Sequence, residues 1–159
     1  MTATRSVELT LRCELRSVTV ARHFVRDQLL AWRLERLVED AELGVTELVA
    51  NAVKHARTDL RLQLTVDAGA TFSVTDGHPV LRSPVGPAHS DALAESGRGL
   101  QIIAAIADDW GIRAMPEGKQ VWFTLPLPDL ATLDATYYTL DDHRTLVSAD
   151  QVSVARHGS

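Results

Sequence analysis

The chain has 159 residues, of which 45% are hydrophobic and 23% are charged, and its formal net charge is −5. This length suits one domain with a substantial core, and the composition argues against a wholly disordered chain. The acidic balance argues against a general nucleic-acid binder, which normally carries a basic stripe.

The cysteine content and the hydropathy pattern argue against disulfide-rich, secreted and membrane-spanning proteins. Cys13 is the only cysteine, so neither an intrachain disulfide nor a CxxC metal motif can form, and a reducing cytoplasm is the expected location. Charges interrupt the N-terminal apolar run, unlike a signal peptide, and no window approaches the ~18 consecutive apolar residues of a membrane helix. The six histidines form no HExxH motif, which argues against a zinc site.

The first third of the chain predicts one strand and two helices. Apolar residues alternate with polar ones over 6–15, as in a half-buried strand. Residues 17–34 follow helical spacing, and we expect Ser17 or Thr19 to cap the start of that helix. A longer helix follows over 36–56. Its predicted buried stripe comprises Leu37, Ala41, Val45, Leu48, Ala52 and Ala56.

The rest of the chain predicts two hairpins separated by a loop and a helix. The predicted segments are strands 60–69 and 70–77, a loop 77–96, a helix 97–110, and strands 110–115 and 119–127. The loop is longer than most connections, which favours a functional lid. Helices and strands do not alternate strictly, so the fold class is a two-layer α/β sandwich of three helices on a mixed, largely antiparallel sheet.

A polar ridge crosses the second helix. Glu47, Asn51 and His55 are spaced four residues apart and therefore stack on one face. A solvated helix face would explain the ridge, but asparagine is a poor helix-interior residue, so Asn51 suggests a function. A carboxamide oxygen suits Mg²⁺, and a carboxylate one turn away can act as a base. Gly44 in the same helix costs about 1 kcal/mol relative to alanine.

Two further stretches carry candidate binding groups. Asp76 ends a predicted strand; it either forms a turn or accepts a hydrogen bond from an exocyclic amine such as that of adenine. Gly97, Arg98 and Gly99 precede the third helix, where glycines, helix amides and a guanidinium can bind an anion. Glycines at a helix entry without a ligand are also common.

Four segments in this order resemble the N, G1, G2 and G3 boxes of the GHKL ATPase superfamily. They are "ELVANAVKH", "VTDGHP", "ESGRGLQII" and "GKQVWF", and the resemblance covers roughly residues 5 to 127. The short chain is most similar to stand-alone anti-sigma factor serine kinases of actinobacterial type. The resemblance implies a histidine kinase-like ATPase fold in residues 1–128, followed by an unassigned and partly ordered extension, 129–159.

The resemblance also implies a role for each matching residue. Glu47 would be the general base, Asn51 would coordinate Mg²⁺, and Asp76 would read the adenine amine of ATP. The phosphates would lie at the helix entry, and residues 77–96 would be the ATP lid. The implied cofactor-binding set is Asn51, Asp76, Gly77, Gly97, Arg98, Gly99 and Leu100. Gln120 falls where the last box usually has a threonine, which contacts the aspartate of the G1 box through water.

Family members of this kind bind a sigma factor and phosphorylate a serine on an anti-anti-sigma STAS partner, often as homodimers. The resemblance thus implies protein partners, while the acidic charge argues against nucleic acid and the hydropathy argues against a membrane. The G1 box reads DGHP instead of DxGxG, which favours a second hypothesis, a non-catalytic module that sequesters a sigma factor or STAS partner. A third hypothesis is an ATPase accessory unit of a larger assembly that docks through residues 129–159.

Overall fold

The computed structural model describes residues 3–77 and 98–128, which form three helices packed on a five-stranded sheet. The helices are α1 (Arg16–Ala31), α2 (Val38–His55) and α3 (Arg98–Ile106), with a single 3-10 turn, Glu35–Leu37, before α2. The strands are β1 (Arg5–Leu11), β2 (Leu60–Val66), β3 (Gly69–Asp76), β4 (Asp109–Met115) and β5 (Gly118–Pro126). The predicted α/β sandwich is confirmed.

The sheet has the strand order β1-β2-β3-β5-β4, and every neighbouring pair in it is antiparallel. Two hairpins, β2–β3 and β4–β5, meet along the central β3–β5 pair. In the first hairpin the Asp67 carboxylate accepts a hydrogen bond from the Gly69 N–H at 3.3 Å, as expected of a turn-forming aspartate. This topology places the C-terminal end of β3 beside the start of β5.

Alternate residues of each strand face the helices and build the core. Phe72 on β3 and Phe123 on β5 are paired in register, and their rings stack with centroids 4.9 Å apart. Both rings are fully buried. The six residues predicted as the buried stripe of the second helix are all buried, so this prediction is confirmed, although Leu37 and Ala56 flank α2 itself. The stacked rings of Phe72 and Phe123 form the floor of the core, that is, the sheet surface on which α2 packs.

Gly44 explains how closely α2 approaches that floor. A Cβ atom at this position would lie 2.4 Å from Cζ of Phe123, well inside van der Waals contact. Phe123 has little room to yield because it is stacked on Phe72. The helix-propensity penalty of the glycine is therefore offset by close packing between helix and sheet.

The predicted cap of α1 is wrong. The helix begins at Arg16, and its N-cap residue, Leu15, makes no side-chain capping bond. Ser17 is already inside the helix, and its hydroxyl donates a 2.7 Å hydrogen bond to the carbonyl of Arg12. Ser17 thus ties the helix to the end of β1, and Thr19 lies still further into the helix, past the capping position.

Two predictions fall outside the described residues: the lid beyond Gly77 and the extension 129–159. Over the parts of the chain that the structure describes, none of the helices is long and apolar enough to cross a membrane.

We predict that Gly44→Ala destabilises the protein by about 1–3 kcal/mol, because overpacking outweighs the gain in helix propensity. Urea unfolding would measure the change. Leu43→Ala, at a neighbouring position that is 40% exposed, should change the free energy of unfolding little. In a Phe123→Leu background the effect of Gly44→Ala should shrink. A Gly44→Ala protein that is more stable than the parent would contradict this packing.

Candidate functional site

The polar ridge of α2 is partly covered. Glu47 and Asn51 are half-buried, whereas His55, at the C-terminal end of the helix, is exposed. A fully solvated helix face would leave all three side chains in water. The difference shows that another element lies over the first two residues of the ridge.

That element is the first turn of α3. A Cβ atom on Gly99 would lie 2.8 Å from Oε2 of Glu47 and 3.2 Å from Nδ2 of Asn51. Glycine therefore lets the backbone of α3 approach both polar side chains directly. The structure thus brings together three of the residues singled out from two distant sequence motifs.

The entry of α3 combines a helix N-terminus with a cationic side chain. Arg98 is the first helical residue and is exposed, while Leu100 is buried in the core. Leu100 can therefore contribute to an anion site only through its backbone N–H. The first N–H groups of a helix lack intrahelical acceptors and favour negative charge. Gly97 lies outside the described residues.

Asp76 is the last residue of β3 and is 2% exposed. It is paired in register with Lys119 on β5, and Nζ of Lys119 lies 3.8 Å from Oδ2 of Asp76. Burying a carboxylate is costly without a partner, and the ammonium supplies one. The end of β3 therefore carries an acceptor and a donor side by side.

Gln120, which falls at the threonine position of the last box, does not face Asp76, because it points to the other face of the sheet. It is paired with Thr75, and its side-chain amide donates to the hydroxyls of Ser73 and Thr75, each at 3.3 Å. Successive strand residues alternate between faces, so Lys119, and not Gln120, shares the face of Asp76.

Two contacts hold the backbone around Asp76. The N–H of Gly77, which is exposed, donates a 2.8 Å hydrogen bond to the hydroxyl of Thr58, just after α2. Gly118 has a φ of +152°, and a Cβ atom there would overlap the carbonyl oxygen of Asp76 at 1.9 Å. The end of β3 is thus enclosed between the end of α2 and the start of β5.

The contacts of α2 show that the ridge and Asp76 lie at the same end of the sandwich. Gly44 packs over Phe123, the partner of Phe72 in the middle of β3, and Thr58 bonds Gly77 at its end. The helix therefore runs along β3 in the same direction. Asn51 lies between these two anchors, on the way to the end where Asp76 is found.

The ligand set at the ridge fits a magnesium ion better than a transition metal. It offers a carboxylate and a carboxamide oxygen, both hard donors. Among residues 3–77 and 98–128, no group of three or more His, Cys, Asp or Glu side chains could hold a metal ion. A cation bound here would have few protein ligands, which is how Mg²⁺ usually binds beside phosphates.

Sequence reasoning gave no role to three residues at this site, Thr58, Gly118 and Lys119, although the last two lie in the segment GKQVWF. Only Lys119 had a usable signal. Val121, Phe123 and Leu125 occupy alternate positions of β5, and the same alternation puts Lys119 on their face. Thr58 and Gly118 act through tertiary contacts that no local pattern encodes.

The comparison with protein families agrees with this architecture. The model of the histidine kinase-like ATPase domain matches residues 11–125, and the chain belongs to this family. A search of curated proteins gave no match. The family assignment supports the GHKL resemblance and the fold expected from it.

We predict that Gly118→Ala destabilises the protein by more than about 2 kcal/mol, since a Cβ atom would combine backbone overlap with an unfavourable φ. Thermal or urea unfolding would measure the loss. Gly111→Ala in the same hairpin is the control. Its Cβ would lie 3.1 Å from the half-buried Trp122 side chain, which has more freedom to shift. Equal effects of the two substitutions would contradict the proposed close approach at Asp76.

Proposed function

We propose that this protein binds Mg-ATP between α2 and α3 and transfers the γ-phosphoryl group to a serine of an anti-anti-sigma STAS partner. In this proposal the chain is an anti-sigma factor of the serine kinase type that works in the cytoplasm as a homodimer. Residues 1–128 would be the ATP-binding domain and residues 129–159 a separate extension. The family match over residues 11–125 supports the nucleotide-binding part of this proposal.

The approach of Gly99 to Glu47 and Asn51 is the observation that carries the proposal. A helix N-terminus attracts phosphate, whereas a carboxylate repels it. The two can serve one ligand if a cation is shared between phosphate and protein. The carboxamide of Asn51 supplies a neutral oxygen for that cation, which would offset phosphate charge and position the phosphates.

Glu47 would act as the general base. It would accept the proton of the attacking serine hydroxyl as the new O–P bond forms and the bond to the β-phosphate oxygen breaks, releasing ADP. Its half-buried position beside Asn51 keeps the carboxylate next to the proposed phosphate site. Arg98 and the amides of the first turn of α3 would balance charge on the transferred group.

Asp76 would read the adenine amine. A carboxylate only accepts hydrogen bonds, so it selects a base with a donor at that point. Its location at the same end of the sandwich as Asn51 and Thr58 supports a single ligand reaching from α3 to the end of β3. Gly77 would border the base, and its N–H is held by Thr58.

A second candidate is a non-catalytic module that sequesters a sigma factor or STAS partner. The sequence DGHP at residues 76–79 favours it, because both glycines of the usual G1 box are missing. In this case the same fold would bind a protein partner with nucleotide as a regulatory ligand or without nucleotide.

We predict that Mg-ATP raises the melting temperature of the protein, since a ligand at a hundred times its Kd stabilises by about 2.7 kcal/mol. Differential scanning fluorimetry with ATP, with and without Mg²⁺, would measure the shift. Asn51→Ala should remove the dependence on Mg²⁺, whereas Lys54→Ala, at an exposed position of the same helix, should retain it. No shift at millimolar Mg-ATP would reject the kinase proposal.

We predict that Glu47→Gln lowers phosphoryl transfer about 10²–10⁴-fold while ATP binding is retained, because only the base is lost. Transfer of radiolabel from γ-labelled ATP to a panel of STAS-domain proteins would measure it. Glu39→Gln, an exposed substitution in the first turn of α2, is the control. ATP binding without transfer by the parent protein to any member of the panel would favour the non-catalytic module.

A further inference from the structure

Lys119 lies beside Asp76, the aspartate proposed to bind the base. Its Nζ lies 3.8 Å from Oδ2 of Asp76, and its side chain is 21% exposed, compared with 1% for that of Asp76. Strand register directs it to the helix-covered face of the sheet, on which Phe123 and Leu125 are buried. The ammonium group of Lys119 therefore lies on the same side of the sheet as the polar ridge of α2.

The ammonium group has more hydrogen-bonding capacity than the carboxylate uses. It carries three N–H donors and no acceptor, and a contact at 3.8 Å is an ion pair longer than a direct hydrogen bond. The group can therefore donate to a ligand while it remains beside Asp76. Together the two side chains present one acceptor and one donor a few ångströms apart.

We infer that Lys119 is a second base-reading residue, which donates a hydrogen bond to N1 of adenine while Asp76 accepts one from the N6 amine. Adenine carries this donor and this acceptor on adjacent positions of one edge, so its pattern is the complement of the Asp76–Lys119 pair. This inference rests on the proposed function, because it assumes that the site binds ATP.

The Asp76–Lys119 pair also has a consequence for charge. The ammonium of Lys119 offsets the negative charge that the buried carboxylate of Asp76 brings to the end of β3. A site built to hydrogen-bond both groups should reject analogues that lack either of them, since the unmatched protein group stays buried. Lys119 would thus determine specificity for the base and would not take part in phosphoryl transfer.

Two ATP analogues separate the two contacts. 1-Deaza-ATP retains the amine and lacks the N1 acceptor, and purine riboside triphosphate retains N1 and lacks the amine. By isothermal titration calorimetry, the parent protein should bind ATP about tenfold or more tightly than either analogue, as expected for hydrogen bonds to charged groups. This comparison needs no altered protein and so does not depend on the folding of a variant.

Variants assign each contact to its residue. Lys119→Met should bind ATP and 1-deaza-ATP equally and still discriminate against purine riboside triphosphate. Lys119→Gln, which keeps a neutral donor, should restore part of the preference for ATP. Gln120→Met, which alters the neighbouring residue on the opposite face, should leave the discrimination against both analogues unchanged.

The possible failures are distinguishable. Lys119→Met binding ATP as tightly as the parent protein, or more tightly, would overturn the inference, because Lys119 would then only neutralise Asp76 or compete with the base. Equal binding of ATP and 1-deaza-ATP by the parent protein would overturn it as well. If the parent protein binds none of the three nucleotides, the proposed function itself fails and the inference fails with it.

Discussion

The contact between α2 and the stacked phenylalanines is the constraint on which the site depends. Gly44 brings the helix backbone against Phe123, and Phe123 is stacked on Phe72 at the centre of the sheet. This contact fixes the height and direction of α2 over β3. Two turns further along the helix, Asn51 is carried to the end of the sandwich where β3 terminates in Asp76.

Glycine is required at three positions of this arrangement, because in each of them a neighbouring element packs directly against the glycine backbone. Gly44 lets α2 pack directly on Phe123. Gly99 lets the first turn of α3 approach Glu47 and Asn51, and Gly118 lets β5 approach the backbone of Asp76. In each place a single methyl group would collide with a neighbouring atom. The geometry of the candidate site therefore depends on these three glycines as well as on the polar groups that would perform its chemistry.

Most of the fold was predictable because its signals are local. Strand alternation in β2 and β3 and the apolar stripe of α2 were sufficient for element type and approximate boundaries, and the order of the elements was sufficient for the fold class. The start of α1 was misjudged because Ser17 bonds to the carbonyl of Arg12, a contact that a capping preference does not describe. The proposed polar residues were recognisable from their spacing, but their juxtaposition across α2 and α3 was not.

Motif comparison drew attention to Gln120 in the last box, whereas the structure puts the neighbouring residue, Lys119, beside Asp76. An alignment of boxes ignores which face a residue occupies, whereas the register of β5 with β3 puts Lys119, and not Gln120, on the face of Asp76. The presence of Lys119 beside Asp76 changes the hydrogen-bonding groups at this position. The carboxylate alone would offer only an acceptor, whereas the pair offers an acceptor and a donor.

The central claim is that one ligand occupies the space between the ridge of α2, the first turn of α3 and the end of β3. Two-dimensional ¹H–¹⁵N NMR with Mg-ATP tests it most directly. We expect the largest shift changes at the Gly99 backbone, the Asn51 side-chain amide and the Gly77 backbone, with little change at the Trp122 indole on the opposite face of the sheet. Shift changes concentrated around Trp122 and Thr124, or none at saturating Mg-ATP, would contradict the account.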